Sequence, residues 1–322
     1  MLQKMIFYWV LLISILLAFS SSLWFSLWIS LEINMMIFIP LMNSKNFLSS
    51  NSMLYYYIVQ SLASSLFFFS SLMYSIYYYI LFYYIIMISI MIKLAAAPFH
   101  IWFPQISEGL SFFSFFILST IQKMIPLFII SSINNYFLIL FIIFSSIMGS
   151  LGGLNQMSLK KILAFSSISH LSWILSLIMI NQNYWFLYFI MYMLILMKII
   201  YFFQKNNLNM IMSLNFMKTN FFKKMNLFSL FLSLGGMPPF LGFFMKWVSI
   251  LFILNKMSLI LMILIMSSLI NLFFYIRILF PLMLNFNILM KFPLIVISYS
   301  SMIFFMMNCI FIIMMIPLIT VI

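Results

Sequence analysis

Acidic residues are almost absent from this chain of 322 residues, which has two of them, Glu32 and Glu108, against 15 basic residues. It contains no aspartate and one cysteine, Cys309, which excludes an internal disulfide and a cysteine-held iron–sulfur cluster. A hydrolase or metalloenzyme would lack its usual ligand set. Glycine and proline are also scarce, with 7 and 9 copies, so the places where they cluster are informative.

The sequence also lacks the features of a redox enzyme that holds its own cofactor. A dinucleotide-binding G-x-G-x-x-G after a strand is missing, because Gly149, Gly152 and Gly153 end an apolar segment instead. The two histidines, His100 and His170, could ligate at most one haem, and nothing pairs them. Bound redox chemistry in this chain is therefore poorly supported.

What the chain does have is apolar sequence: it is 67% hydrophobic and 5% charged, with a mean hydropathy of +1.25. A soluble surface needs far more charge. The apolar runs are continuous, which favours helices over a barrel, and a helix needs roughly 20 residues to cross about 30 Å of hydrocarbon. We predict an all-α polytopic membrane protein, a single transmembrane domain over residues 1–322 with about eleven helices. The candidate spans are 5–20, 23–42, 52–72, 75–97, 110–132, 135–152, 158–180, 184–204, 224–253, 257–280 and 294–320.

The loop lysines test this count through the positive-inside rule. With eleven spans, Lys256 falls opposite the N-terminus, and the other loop lysines share the N-terminal side. These are Lys4, Lys45, Lys160, Lys161, Lys205, Lys218, Lys223, Lys224 and Lys291. The N-terminal side is thus the cytoplasm or the mitochondrial matrix. Because topology explains the net charge of +13, we expect no nucleic-acid partner.

Two spans carry helix breaks, KLAAAPFH at 93–100 and LGGMPPF at 234–240. Proline removes a backbone donor and clashes with the preceding turn. The broken span is the fourth of five in each half, and five spans per unit invert one unit against the other. The sequence therefore predicts inverted repeat units at about 5–132 and 135–280, plus a C-terminal helix at about 294–320. Simple proline kinks are the alternative.

Four ionisable residues lie inside apolar spans: Glu32, Lys93, Lys123 and Lys246. A charge at the bilayer centre costs about 2.5–3.5 kcal/mol on insertion scales, so such residues are usually functional. Burial destabilises an ammonium group relative to its neutral amine, and a nearby carboxylate opposes this. We predict a proton pathway. The alternatives are a single hydrogen bond from a protonated Glu32, and lysine side chains that reach the membrane interface.

Other polar residues are less decisive. His100 and His170 are possible proton relays, and hydrogen-bonded core histidines are about equally expected. Lys198 and Arg277 suit structural or interfacial roles, and Glu108 is expected to open the fifth span, where a carboxylate favours a helix N-terminus. A stand-alone cation/proton antiporter or a solute transporter remains the alternative function. Single lysines spread along the chain fit protons better than a solute.

Six motifs resemble those of the NADH–ubiquinone oxidoreductase chain 2 family, the mitochondrially encoded antiporter-like subunits of respiratory complex I. They are SLEIN (30–34), KLAAAPFHIWFP (93–104), QKMIP (122–126), GGLNQ (152–156), KKILAFSSISH (160–170) and LGGMPPFLGFFMKW (234–247). Gln105 departs from the family, in which many members have glutamate.

The resemblance implies an antiporter-like fold in the mitochondrial inner membrane, with the N-terminus in the matrix. It assigns the family's Glu–Lys pair to Glu32 and Lys93, its central lysine to Lys123 and its exit-side lysine to Lys246. It also implies that the chain is a proton-translocating subunit with other membrane-arm subunits and the lipid bilayer as partners. NADH, FMN, iron–sulfur clusters and ubiquinone would be used in other subunits, with no cofactor and no metal bound here.

Overall fold

The computed structural model describes residues 2–44, 46–133, 135–180, 183–216, 221–238 and 240–289, and this part of the chain is almost entirely helical. The α-helices are α1 (Leu2–Ser20), α2 (Trp24–Met42), α3 (Phe47–Tyr77), α4 (Ile80–Leu94), α5 (Trp102–Gly109), α6 (Phe112–Ser119), α7 (Ile121–Ser132), α8 (Leu138–Leu154), α9 (Leu159–Met179), α10 (Tyr184–Lys205), α11 (Phe221–Gly235), α12 (Leu241–Leu254) and α13 (Ser258–Leu289). A short 3₁₀-helix spans Ile211–Phe216.

Several of these helices can cross a membrane, which confirms the all-α membrane fold. Within the described residues, six segments are long and apolar enough by length and composition: Trp24–Met42, Phe47–Tyr77, Phe112–Ser132, Leu159–Met179, Tyr184–Lys205 and Ser258–Pro281. Four shorter apolar helices accompany them. The predicted C-terminal span at 294–320 lies outside the described residues, as do Lys45, Lys218, Lys291 and Cys309.

Helix α9 forms the centre of the bundle. Every side chain from Ile162 to Met179 is buried, and α9 contacts α5, α6, α7, α8, α10, α12 and α13. The backbone of α8 approaches it closely, because a Cβ on Gly149 would lie 2.6 Å from the amide nitrogen of Ser169. Small residues permit such close packing of membrane helices, where apolar burial gives no driving force between them.

The first predicted break is present between α4 and α5. Helix α4 ends at Leu94, and Ala95 takes a left-handed conformation with φ of 58°. The chain resumes helical structure at Trp102, whose indole nitrogen donates a 3.1 Å hydrogen bond back to the carbonyl of Ile92. The same carbonyl also accepts a 3.1 Å hydrogen bond from the amide of Ala95, so the last turn of α4 is closed by both a backbone and a side-chain donor.

The second predicted break separates α11 from α12. Helix α11 ends at Gly235, and Gly236 has a φ of +78°. The amides of Gly236 and Met237 donate to the carbonyls of Ser233 and Leu232, at 3.0 and 3.1 Å. Glycine favours this left-handed position because it has no Cβ to clash.

The fifth predicted span is interrupted, although its sequence carries no proline or glycine at that point. Thr120 separates α6 from α7 with a φ of −123° and a ψ of −80°. Its hydroxyl donates a 2.6 Å hydrogen bond to the carbonyl of Phe116, in competition with the regular helical pattern. Pro126 lies inside α7 and does not end it.

The expectation for Glu108 was wrong. Glu108 lies in the last turn of α5 and does not begin the fifth span, because the broken fourth span continues as a second half-helix. The N-cap of α6 is Ser111, whose hydroxyl accepts a 3.2 Å hydrogen bond from the amide of Ser114. The Glu108 carboxylate instead pairs with Lys161 on α9 at 2.7 Å.

Candidate functional site

Lys93 and Lys123 line the same small cavity. Lys93 stands in the last turn of α4 and Lys123 in the first turn of α7, and both are buried, with 7% and 3% of their surface exposed. The cavity has a volume of about 10 Å³, close to the smallest space that holds one water molecule. Its other walls are Leu31, Asn34, Met35, Tyr56, Gln60, Leu94, Trp102, Phe103, Leu118, Gln122 and Pro126. Neither lysine reaches the outer surface of the bundle.

Glu32 lies near this cavity on α2 and is partly buried. Its charge acts electrostatically on Lys93 and on Tyr56. The carboxylate and the Lys93 ammonium, both among the described residues, are not within 4.0 Å of each other. The two groups therefore interact across a gap and do not form a direct ion pair.

The side chain of Lys123, on α7, contacts residues of α5 and α9. Its ammonium donates a 3.2 Å hydrogen bond to the hydroxyl of Ser167 and lies 4.7 Å from the ring centroid of Phe103. A cation over an aromatic face is attracted to it electrostatically. Ser119 and Thr120 precede Lys123 by about one turn, and both of their hydroxyls donate to the carbonyl of Phe116. Lys123 is thus directed towards the central helix.

His170 lies on α9, one helical turn beyond Ser167, the residue to which Lys123 is hydrogen-bonded. It is buried, and the charges of both Lys123 and Lys246 act on it electrostatically. Its Nδ1 is hydrogen-bonded to the hydroxyl of Tyr188 at 2.9 Å. The ring of Tyr192 packs against it with centroids 5.0 Å apart. The imidazole therefore stands in the polar centre of the bundle.

The side chain of Lys246 forms a hydrogen bond across the second break, between α11 and α12. It belongs to α12, is 6% exposed, and donates a 2.6 Å hydrogen bond to the carbonyl of Gly235 at the end of α11. A cation at the C-terminus of a helix is favoured by the unpaired carbonyls there. Trp247 next to it is partly exposed and stacks on Phe243, with centroids 6.3 Å apart. The lysine thus points inward, while the neighbouring indole faces outward.

The other residues predicted from sequence lie away from the lysines and His170. His100 is bonded to the carbonyl of Pro98 in its own break, at 3.2 Å. Arg277 donates to the carbonyls of Leu154 and Gln156 and so joins α13 to the connection between α8 and α9. Lys198 is partly buried on α10. In the described part of the chain, no three His, Cys or Glu side chains are grouped so that they could hold a metal ion.

Sequence reasoning missed the polar side chains that surround the lysines. Tyr56 and Gln60 line the cavity, and Tyr188 and Tyr192 contact His170. Tyrosine carried no signal in a chain with 17 of them. Ser167 gave no signal either, because its contact with Lys123 over 44 residues cannot be read from spacing on one helix.

Comparison with known proteins gives this arrangement a family. Residues 76–273 match the family profile described as NADH:quinone oxidoreductase/Mrp antiporter, TM. The NADH-ubiquinone oxidoreductase chain 2 of Rhipicephalus sanguineus is 45% identical over 274 residues, covering 85% of this chain and 88% of the relative. That of Aedes aegypti is 45% identical over 298 residues, covering 88% and 86%.

The fold has a counterpart among solved structures. A chain of respiratory complex I from Thermus thermophilus superimposes with a TM-score of 0.78 at 19% identity, covering 84% of this chain and 68% of that one. An identity this low supports the fold alone, and the sequence relatives provide the family. This chain belongs to the NADH:quinone oxidoreductase/Mrp antiporter transmembrane family, and within it to the NADH-ubiquinone oxidoreductase chain 2 family.

Proposed function

We propose that this chain, as a proton-translocating membrane-arm subunit of NADH:ubiquinone oxidoreductase, passes protons along Lys93, Lys123, His170 and Lys246, with Glu32 as the carboxylate of the pathway that controls the first transfer. The observation that carries the proposal is the cavity of about 10 Å³ that Lys93 and Lys123 share. Two buried lysines without a reason to meet would not be expected to line one water-sized space. Intramembrane ionisable residues mark ion and proton pathways by default.

The first transfer joins Lys93 to Lys123. The described residues offer no hydrogen-bond acceptor to the Lys93 ammonium, which faces the cavity together with Gln60 and Tyr56. A water in that space could accept the proton of the Lys93 ammonium while it gives another to a neutral Lys123 amine. Lys93 ends neutral and Lys123 charged, so the number of protons is conserved.

The second transfer joins Lys123 to Lys246 through the centre of the bundle. Ser167 accepts from Lys123 at 3.2 Å, and His170 stands one helical turn further along α9. The imidazole lies in the electrostatic reach of both lysines, and histidine is the side chain best suited to exchange protons near neutral pH. His100 has no comparable support, because its side-chain hydrogen bond is to Pro98 in its own break.

Glu32 supplies the control in this mechanism. A carboxylate near a buried lysine stabilises the charged form of that lysine, and Glu32 adjoins Leu31, which lines the same cavity as Lys93. Movement of Glu32 away from Lys93 removes that stabilisation and drives the proton towards Lys123. A displacement of a few ångströms suffices, because the interaction acts through a poorly screened interior.

The setting of this function follows from the family. We place the chain in the mitochondrial inner membrane with its N-terminus in the matrix, beside other membrane-arm subunits. NADH, FMN, iron–sulfur clusters and ubiquinone are used in other subunits of the complex. The two breaks, between α4 and α5 and between α11 and α12, support inverted repeat units at about 5–132 and 135–280. The absence of a cofactor from this chain remains a prediction.

Replacement of Lys123 by methionine tests the proposal. The isolated complex, reconstituted in vesicles, should pump fewer protons per NADH oxidised with Lys123→Met than without it. Lys198→Met is the matched control, because Lys198 is a partly buried lysine on α10 away from the cavity. An unchanged ratio for Lys123→Met at equal complex content would remove Lys123 from the pathway.

A further inference from the structure

An amide–amide contact joins the helix of Glu32 to the helix of Lys123. The side-chain nitrogen of Gln122 on α7 donates to the Oδ1 of Asn34 on α2 at 3.0 Å. The same nitrogen lies 3.3 Å from the backbone carbonyl oxygen of Asn34. The contact spans 88 residues of sequence, so it is a feature of the tertiary structure.

A third helix completes the contact. The hydroxyl of Tyr56 on α3 donates a 3.1 Å hydrogen bond to the Oε1 of Gln122. Both Tyr56 and Asn34 are buried, with 1% and 2% of their surface exposed. Gln122 thus uses its nitrogen towards α2 and its oxygen towards α3. Buried hydrogen bonds of this kind are costly to break because each freed group is left without water.

Two residues of this hydrogen-bond network are near neighbours in sequence of two members of the proposed proton pathway, Glu32 and Lys123. Asn34 follows Glu32 by two residues on α2, and the charge of Glu32 acts on Tyr56. Gln122 immediately precedes Lys123 and follows the interruption at Thr120 by two residues. The first turn of α7 is therefore fixed by side-chain contacts at the point where its helix has been disconnected from α6.

We propose that Gln122 is a positioning residue that ties Lys123 to α2, so that a displacement of the Glu32 helix moves the Lys123 ammonium relative to the shared cavity and to Ser167. This inference rests on the proposed proton pathway. Gln122 gives up no proton in it. It determines where Lys123 stands when α2 moves, and the Thr120 interruption allows α7 to follow.

In this proposal the hydrogen bond between Gln122 and Asn34 couples the movement of α2 to the position of Lys123. The coupling depends on the contact and not on either residue alone. Without the amide pair, α2 can shift while Lys123 remains beside Ser167, and transfer from Lys93 is no longer timed to Glu32. Misplacement of a reacting group by about 1 Å can cost about 100-fold in rate. Loss of either partner should therefore have the same effect as loss of both.

A set of variants in the assembled complex tests this, with protons pumped per NADH measured at equal complex content. We expect Asn34→Leu and Gln122→Leu each to lower the ratio, and the double variant to lower it no further than the more affected single variant. The exchange Asn34→Gln with Gln122→Asn keeps two amides of the same combined length and should restore the wild-type ratio. Gln156→Leu is the control, because its amide bonds locally to the carbonyl of Gly152 at 3.2 Å.

The outcomes separate this inference from the proton pathway itself. Wild-type ratios in the leucine variants, additive losses in the double variant, or an exchange variant that restores nothing would each overturn the positioning role. Lys123→Met in the same preparation tests the pathway, which fails if that ratio is unchanged. If the leucine variants do not assemble, the single changes Asn34→Gln and Gln122→Asn decide against the exchange variant: lowered ratios in the single changes with a wild-type ratio in the exchange support the inference, and equal ratios in all three overturn it.

Discussion

Lys246 donates a 2.6 Å hydrogen bond to the carbonyl of Gly235, across the break between α11 and α12. The lysine thereby occupies a carbonyl that the helix leaves without a backbone partner. The same ammonium is the last member of the proposed pathway. Its position is fixed by backbone geometry at the break, and this makes the glycines around it sensitive to substitution.

Gly236→Ala should disturb Lys246 directly. Gly236 has a φ of +78°, and an added Cβ would lie 2.6 Å from the Cδ of Lys246. The left-handed conformation costs a residue with a Cβ roughly 1–2 kcal/mol. We expect an assembled complex with fewer protons pumped per NADH. Gly153→Ala is the control, because its added Cβ would lie 3.0 Å from a ring atom of Phe274 and would not contact Lys246. Equal ratios in the two variants would contradict the prediction.

Gly242→Ala should reduce the amount of assembled complex, because it disturbs the packing of α11 against α12. A Cβ at this position would stand 1.4 Å from the carbonyl oxygen of Ser233, which is backbone and cannot rotate away. The two half-helices would have to separate, and overpacking of this kind costs about 1–3 kcal/mol or more. We expect a lower amount of assembled complex on native gels. Wild-type content would show that the approach of α11 and α12 is looser than described.

Ser167→Ala removes the hydroxyl that accepts from Lys123 at 3.2 Å. Hydrogen bonds to charged groups contribute about 1.5–3 kcal/mol, so the lysine should lose its preferred position towards α9. We expect slower proton pumping with the fold intact. Ser176→Ala is the matched control: Ser176 is also buried on α9 and donates only to the carbonyl of Trp173, at 2.8 Å. An effect of the same size in both variants would argue against a role for Ser167.

His170→Leu should interrupt transfer between Lys123 and Lys246, because no other imidazole of the described chain lies between them. Tyr188→Phe removes only the 2.9 Å hydrogen bond that orients the ring and should have a smaller effect in the same direction. Pumping ratios in reconstituted vesicles measure both. A larger loss in Tyr188→Phe than in His170→Leu would make the tyrosine, and not the histidine, the important group.

Glu108→Gln should leave pumping and assembly close to wild type. Its ion pair with Lys161 measures 2.7 Å, but the side chains are 46% and 27% exposed. Exposed ion pairs typically contribute only about 0–1 kcal/mol because water and salt screen them. A marked loss of pumping would show that this carboxylate belongs to a pathway that the structure does not connect to the cavity.

Local sequence predicted the two large breaks, because glycine, proline and small residues act on their own turn of the helix. It could not predict the interruption at Thr120. Threonine is ordinary inside helices, and its bond to the carbonyl of Phe116 becomes visible only in three dimensions. The role of Glu108 was missed for a related reason: the length of the half-helix that follows the first break has no marker in the sequence.

The amino-acid sequence by itself determined that this protein is an apolar helical bundle with a few buried charges, because hydropathy and helix breaking act locally. It also named Glu32, Lys93, Lys123 and Lys246 as the groups in question. Only the tertiary structure decided that Lys93 and Lys123 share a cavity and that Gln122 reaches Asn34 across 88 residues. These contacts depend on how helices far apart in the chain pack, and neither periodicity nor composition records that packing.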